Sequence, residues 1–222
     1  MVKPNGLALL AILLFAWSAG CRAQTPFERE VLDVLNRART DPAGYAAALK
    51  QYRRLFHANL VSLPGQDADY ETAEGVAVVD ETIAFLGRQP ALGPVAPAEI
   101  LESSAADHVR DQGASGETGH AGHDGSAPAD RVRRHGGGAY VAEVIAYGAV
   151  DAVDMVRQLI VDDGVADRGH RSILYSPELR YAGVSCGKHP EFRTMCVIDL
   201  AITPDARSGP RQAAAAGHRV AR

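Results

Sequence analysis

The chain has 222 residues and a net charge of -4, with 46% hydrophobic and 23% charged residues. That length suits a single domain, and the composition is that of an ordinary globular protein. Without a basic excess, and with aromatic residues at only 6%, the chain has neither the electrostatic footprint nor the stacking platforms that nucleic-acid binding requires.

From the N-terminus, Lys3 precedes an unbroken apolar run from Leu7 to Trp17, followed by the small residues Ser18, Ala19 and Gly20. The run is short for a bilayer span and has no polar face, so it reads as a signal peptide over residues 1–23. Two exits are open. Ser18-Ala19-Gly20-Cys21 partly resembles a lipoprotein box that would lipidate Cys21, whereas cleavage after Ala23 would leave Gln24 first; the second is favoured. Either route places the mature chain outside the cytoplasm, secreted or periplasmic, with no transmembrane segment left in it. With Cys21 lost or lipidated, Cys186 and Cys196 remain as a pair, and an exported protein can oxidise them.

The folded domain of the mature chain, 24–203, begins with a capping box at Thr25-Pro26-Phe27-Glu28. Phe27, Val31, Val34, Leu35 and Ala38 then recur at helical spacing. Asp41-Pro42 ends this helix and opens another, with Tyr45, Leu49 and Tyr52 on its apolar side. Residues 57–70 read as a loop. A helical pattern returns at Val76, Val79, Ile83 and Leu86, and Pro90 to Pro97 reads as extended. Ile100 to Val109 predicts a helix stopped at Gly113. The Gly, Ser, Asp and His-rich stretch 113–128 must be a loop, and loops of that length in compact domains usually carry function. A short helix at 130–134, a strand at 140–147 and a helix from Val150 to Ile160 follow. Tyr181 to Cys186 and Thr194 to Ala201 form a hairpin that places both cysteines on its core side, close enough to bridge. Beyond Thr203 the Pro, Ser, Gly, Arg and Ala-rich sequence, 204–222, reads as a disordered tail. Interspersed helices and strands predict an α/β fold, a mixed sheet with helices on its faces.

Three segments could carry chemistry. Gly119-His120-Ala121-Gly122-His123-Asp124-Gly125 offers imidazoles and a carboxylate in a pliant loop, suitable for a divalent metal or simply a solvated turn. Glu143 sits in the apolar strand Val141-Ala142-Glu143-Val144-Ile145, where burial is costly without a partner; its importance depends on a histidine facing it. Asp162-Asp163 precedes a turn that leads through Asp167, Arg168 and Gly169 to His170 and Arg171. No His-Glu-x-x-His, Gly-x-Ser-x-Gly or Walker loop occurs.

Taken together, Val31 to Arg39 with Asp41-Pro42, the run His120…Asp124-Gly125-Ser126…Pro128…Arg131, Ala142-Glu143-Val144-Ile145, Asp162-Asp163-Gly164-Val165 with Arg168-Gly169-His170-Arg171, and the closing strands Gly183-Val184 and Val197-Ile198-Asp199 resemble the bacterial, SCP-like extracellular branch of the CAP superfamily (cysteine-rich secretory, antigen 5 and pathogenesis-related proteins). The resemblance runs from about residue 27 to 202. It implies an α-β-α sandwich with a mostly antiparallel central sheet and a cleft lined by two histidines and two acids. His120, His170 and Glu143 match three of these; Asp162 or Asp163 would be the second acid. Val144 stands where the family has Asn, and His123 lies outside the set. Members bind sterols or lipids, act in defence and host interaction, or cleave proteins, and some clefts hold a cation such as zinc. The expectation is therefore an extracellular binding module for a lipid, small ligand or divalent metal, with His120, His170 and Glu143 as metal ligands. The alternative is a metal-assisted hydrolase with Glu143 as base on a bound water.

Overall fold

The computed structural model describes residues 24–209. The expected leader with Cys21 and the segment 210–222 lie outside the described residues.

Helix α1 (Pro26–Thr40) starts at the expected capping box: the Thr25 hydroxyl accepts from Glu28 N at 3.2 Å, and the Glu28 carboxylate accepts from Thr25 N at 2.7 Å. Asp41 then caps α2 (Pro42–Tyr52), accepting from Gly44 N at 2.8 Å. The segment expected to be a loop instead forms a small antiparallel sheet of β1 (Phe56–His57), β2 (Leu60–Val61) and β3 (Tyr70–Glu71), in the order β1-β2-β3. Two-residue strands are too short to leave an alternating pattern.

Helix α3 (Val76–Leu86) and strand β4 (Ala96–Pro97) fall where expected. Helix α4 (Glu99–Ser115) does not stop at Gly113 but runs two residues further, ending at Gly116, which takes the left-handed conformation with φ 76. Helix α5 (Pro128–Arg134), strand β5 (Val141–Tyr147), helices α6 (Ala152–Val161) and α7 (Gly169–Leu174), and the hairpin β6 (Tyr181–His189) and β7 (Arg193–Ala201) complete the order. Where the sequence indicates only a turn, α7 forms; it is too short for a periodic signal.

The main sheet has the order β4-β6-β7-β5, antiparallel except for β4 beside β6. Val144, Ala146, Ala182, Val184, Cys196, Ile198 and Leu200 face α1, α2, α3 and α6 and form the larger core. Ile145, Met195 and Val197 face α4 on the other side. The result is the expected α-β-α sandwich. Helix α4 can lie this close because Gly183 has no side chain: a Cβ there would meet Leu101 and Glu102 backbone at 2.1 Å.

Cys186 and Cys196 are directly opposed in the β6–β7 register and form a disulfide with Cα atoms 4.1 Å apart. The ordered fold passes the expected boundary at residue 203. Ala206 is fully buried beside Leu101 and Val132, and the carbonyls of Asp205 and Ala206 accept from Gly138 N and Tyr140 N at 2.7 and 2.9 Å. The small side chain of Ala206 and these backbone bonds anchor a segment whose composition alone suggests a tail.

Candidate functional site

Two imidazole–carboxylate pairs form on separate parts of the fold. The first joins His120, in the loop after α4, to Glu143 on β5. The residue before His120 is fixed first. Gly119 has φ 94, a conformation that favours glycine. Its carbonyl accepts from His108 Nε2 at 2.8 Å and Gln112 Nε2 at 2.6 Å, and its N–H donates to the Tyr147 hydroxyl at 3.0 Å. Burial lowers the pKa of His108, so it serves as a neutral donor here. His120 Nδ1 then lies 2.9 Å from Glu143 Oε1.

Glu143 is not left as a lone buried charge. Arg131, itself buried, donates to Glu143 Oε2 at 2.6 Å and to the carbonyls of His120 and Ser126 at 3.2 and 3.0 Å. Burial alone would raise the Glu143 pKa; the His120 bond and the Arg131 charge outweigh it and hold the carboxyl below its ordinary value. Directly across the β5–β7 ladder lies Asp199, fully buried. Neither of its oxygens, nor the buried Ser104 hydroxyl, makes a hydrogen bond of normal geometry. Burial, and then the neighbouring Glu143 charge, push the Asp199 pKa well above the carboxylate range. The two facing carboxyls are thus pushed apart, Asp199 towards its protonated form and Glu143 towards its charged one.

The second pair joins His170 on α7 to Asp162. Asp162 ends α6 in the left-handed conformation with φ 60, a position an aspartate tolerates better than most residues. Its Oδ1 lies 2.7 Å from His170 Nδ1, and its Oδ2 accepts from Arg171 N at 3.2 Å. Asp163, the other candidate acid, instead accepts from Ala73 N and Glu74 N at 2.7 and 2.8 Å, tying this loop to the turn before α3. Arg168, also left-handed with φ 52, reaches Glu74 at 2.6 Å and Glu81 at 3.1 Å. Arg171, buried, bonds Glu81, Thr82 and the carbonyls of Ile160 and Val161.

Helix α7 packs beside β5, the strand that carries Glu143. A cavity of about 490 Å³ opens there. Asp162, Asp163 and His170 line it; His120 and Glu143 do not. Among the described residues, no three His, Cys, Asp or Glu side chains converge as a metal group. Glu143 in particular is only 1% exposed at its side chain, with both oxygens engaged. His123 lies apart, 3.2 Å from Glu117 on the surface.

Of the residues that hold these pairs, Arg131, Asp199 and Arg171 stand in the sequence only as parts of motifs, with no role to be read from it. A signal for Asp199 is present: a charge inside the apolar run Val197-Ile198-Asp199-Leu200, the same pattern that marks Glu143.

The model of the cysteine-rich secretory protein (CAP) family matches residues 32–200. The chain belongs to that family. No curated protein matches it. Among solved structures, it is similar in part to an outer surface protein from Borrelia burgdorferi, at 16% identity and TM-score 0.41, over 49% of this chain and 77% of that one. It is also similar in part to an extracellular protein containing a SCP domain from Bacillus anthracis str. Ames, at 20% identity and TM-score 0.40. That match covers 56% of this chain and 39% of the other.

Proposed function

We propose that the protein is an extracellular binding module, and that its ligand enters the cavity beside β5 and α7. The disulfide supports an oxidising compartment, because such bonds persist outside the cytosol. The cavity volume falls within the range of small-molecule sites, and its wall includes apolar residues such as Val61, Leu159 and Val165, suited to a lipid, a sterol or another partly apolar ligand.

The observation that carries a role for the histidines is their shared orientation. Each imidazole gives its Nδ1 to a carboxylate, Glu143 for His120 and Asp162 for His170. That arrangement fixes the tautomer with Nε2 as the free lone pair, as partner carboxylates do for metal-bound histidines. Neither Nε2 has a hydrogen-bond partner among the described residues. On this reading the site is an open one that solvent or a ligand would complete, and not a closed three-residue cage. His120 and His170 would hold a divalent cation such as zinc, with Glu143 and Asp162 orienting them. Bound there, the cation would supply a Lewis-acid anchor for an oxygen of the ligand. A hydrolytic role for Glu143 is disfavoured, because its buried oxygens are committed to His120 and Arg131.

Calorimetric titration with zinc tests the cation. Saturable binding is expected at pH 7.5, with loss in both His120→Ala and His170→Ala. Weaker binding is expected near pH 5, since histidine must shed its proton to coordinate. No saturable uptake at pH 7.5 would retire the cation and leave the cavity as the whole of the site.

A further inference from the structure

Tyr147, the last residue of β5, belongs to two parts of the molecule at once. It lines the cavity of about 490 Å³, together with Phe192. Its hydroxyl meets the loop that carries His120, a residue outside that lining. Burial raises the pKa of the phenol, so the hydroxyl keeps its proton and donates it to Gln112 Oε1 at 2.7 Å. The same oxygen then accepts from Gly119 N at 3.0 Å. Gln112 closes the ring of bonds by donating from Nε2 to the Gly119 carbonyl at 2.6 Å. Gly119 is thereby gripped at both its N–H and its carbonyl, at a φ of 94, and the next residue is His120. The phenol ring is braced in turn. His189 packs edge-on to it with centroids 5.4 Å apart, and Phe192 lies at 5.3 Å. Through Nε2, His189 bonds the Glu117 carbonyl of the same loop at 3.1 Å. His170 is placed differently, by helix α7 and Asp162.

We propose that Tyr147 is a positioning residue for His120: through its bond to Gly119 it couples the wall of the cavity to the placement of the His120 imidazole against Glu143. A ring alone would satisfy the packing against His189 and Phe192. The hydroxyl is the part that reaches the loop, and supporting bonds of this kind decide where a functional imidazole stands and which of its nitrogens is presented. The inference rests on the reading of the cavity and His120 as parts of one binding module, but not on zinc as the ligand.

The test uses isotope-labelled, disulfide-bonded protein at pH 7.5 in EDTA. Tyr147→Phe is the variant, because it keeps the ring and deletes only the hydroxyl. NMR reads exchange of the Gly119 amide with solvent and the ring-nitrogen shifts of His120 and His170, which report the tautomer of each. In the variant the Gly119 amide should exchange about tenfold faster, the equivalent of one lost hydrogen bond. The His120 nitrogens should move towards the average of two tautomers, while those of His170 stay as in the wild type. Gln112→Ala removes the other partner of the hydroxyl and should move the same signals in the same direction. It serves as the test if Tyr147→Phe does not fold. Unchanged Gly119 exchange and unchanged His120 shifts overturn the proposal. Equal changes at His120 and His170 also overturn it, since they report a general loosening. Zinc titration of the same proteins separates this role from the cation. Where the wild type takes up zinc, Tyr147→Phe should bind it about tenfold more weakly, and equal affinity counts against the proposal. Where the wild type takes up none, the cation fails and the NMR result still decides the role of Tyr147.

Discussion

The two imidazole–carboxylate pairs look alike at the atoms that touch and differ in everything beneath. His120–Glu143 is anchored in the sheet: its carboxylate sits on β5, is matched by a buried arginine, and faces a second buried carboxyl across the ladder. His170–Asp162 is anchored in a loop: its carboxylate caps a helix in a left-handed conformation, and the supporting arginines reach largely solvent-facing glutamates. The first arrangement stakes its geometry on buried charge, where removing one partner is expensive. The second relies on backbone conformation and capping bonds, where each loss is smaller and more local. The same donor chemistry is thus presented by a rigid wall on one side and by a segment that can adjust on the other.

The largest expected effect is at the rigid wall. Arg131→Met would strip Glu143 of its cation in a site with 1–2% side-chain exposure. Breaking a buried pair from one side costs about 3–5 kcal/mol, and here the carbonyls of His120 and Ser126 lose their donor as well. Urea unfolding should show that loss, and Glu143→Gln in the same chain should recover part of it by removing the stranded charge. If the single variant costs no more than a surface ion pair, the first site is more hydrated than its burial indicates and the comparison collapses.

Asp162→Ala is expected to be milder and more local. It removes the His170 bond and the bond to Arg171 N, and it leaves an alanine in a left-handed position, a cost of about 1–2 kcal/mol. The total should be about 1–3 kcal/mol, with faster hydrogen exchange concentrated in 162–175. Asp162→Asn should lose less, because asparagine tolerates that backbone conformation and keeps an acceptor. A loss equal to that of Arg131→Met, spread across the whole sheet, would show that the loop is as integral to the core as β5.

How much of this is legible in the sequence follows the same division. The helices that pack on the sheet carry clear periodicity at Val31, Val34 and Leu35, and the hairpin register can be read from Cys186 and Cys196, because one buried face dictates the pattern. His120, Glu143 and His170 stand out as unusual residues in their settings. Choosing Asp162 over Asp163 is not possible from sequence, since adjacent aspartates differ only in the backbone angle at the end of α6. Arg131 cannot be paired with Glu143 because nothing in a helix such as Pro128–Arg134 says which of three arginines turns inward. Strand β3 is invisible for a different reason: two residues held by neighbours from β2 have no sequence signature of their own.

The one effect expected to vanish at low pH isolates what the sheet-anchored pair has and the loop-anchored pair lacks, a second carboxyl. Asp199 has a folded-state pKa raised above its unfolded value near 3.9, by burial first and by Glu143 second. For a carboxyl shifted in that direction, the protonated form is the one the fold prefers. Its favourable share is complete below the unfolded value and declines as pH rises towards the folded one. Asp199→Asn keeps the shape and a neutral head while removing the need to hold a proton, and its amide can donate towards Glu143. The variant should therefore match wild type near pH 4 and exceed it at pH 7–8, with the gap widening as pH rises between those values. Thermal melts at intervals from pH 4 to 8 measure it directly. A constant difference across that range would mean that Asp199 is not holding a proton and that Glu143 shares its pocket with a second charge. In that case Arg131 would be balancing two carboxylates, and the cost of removing it would be larger than that of one stranded glutamate.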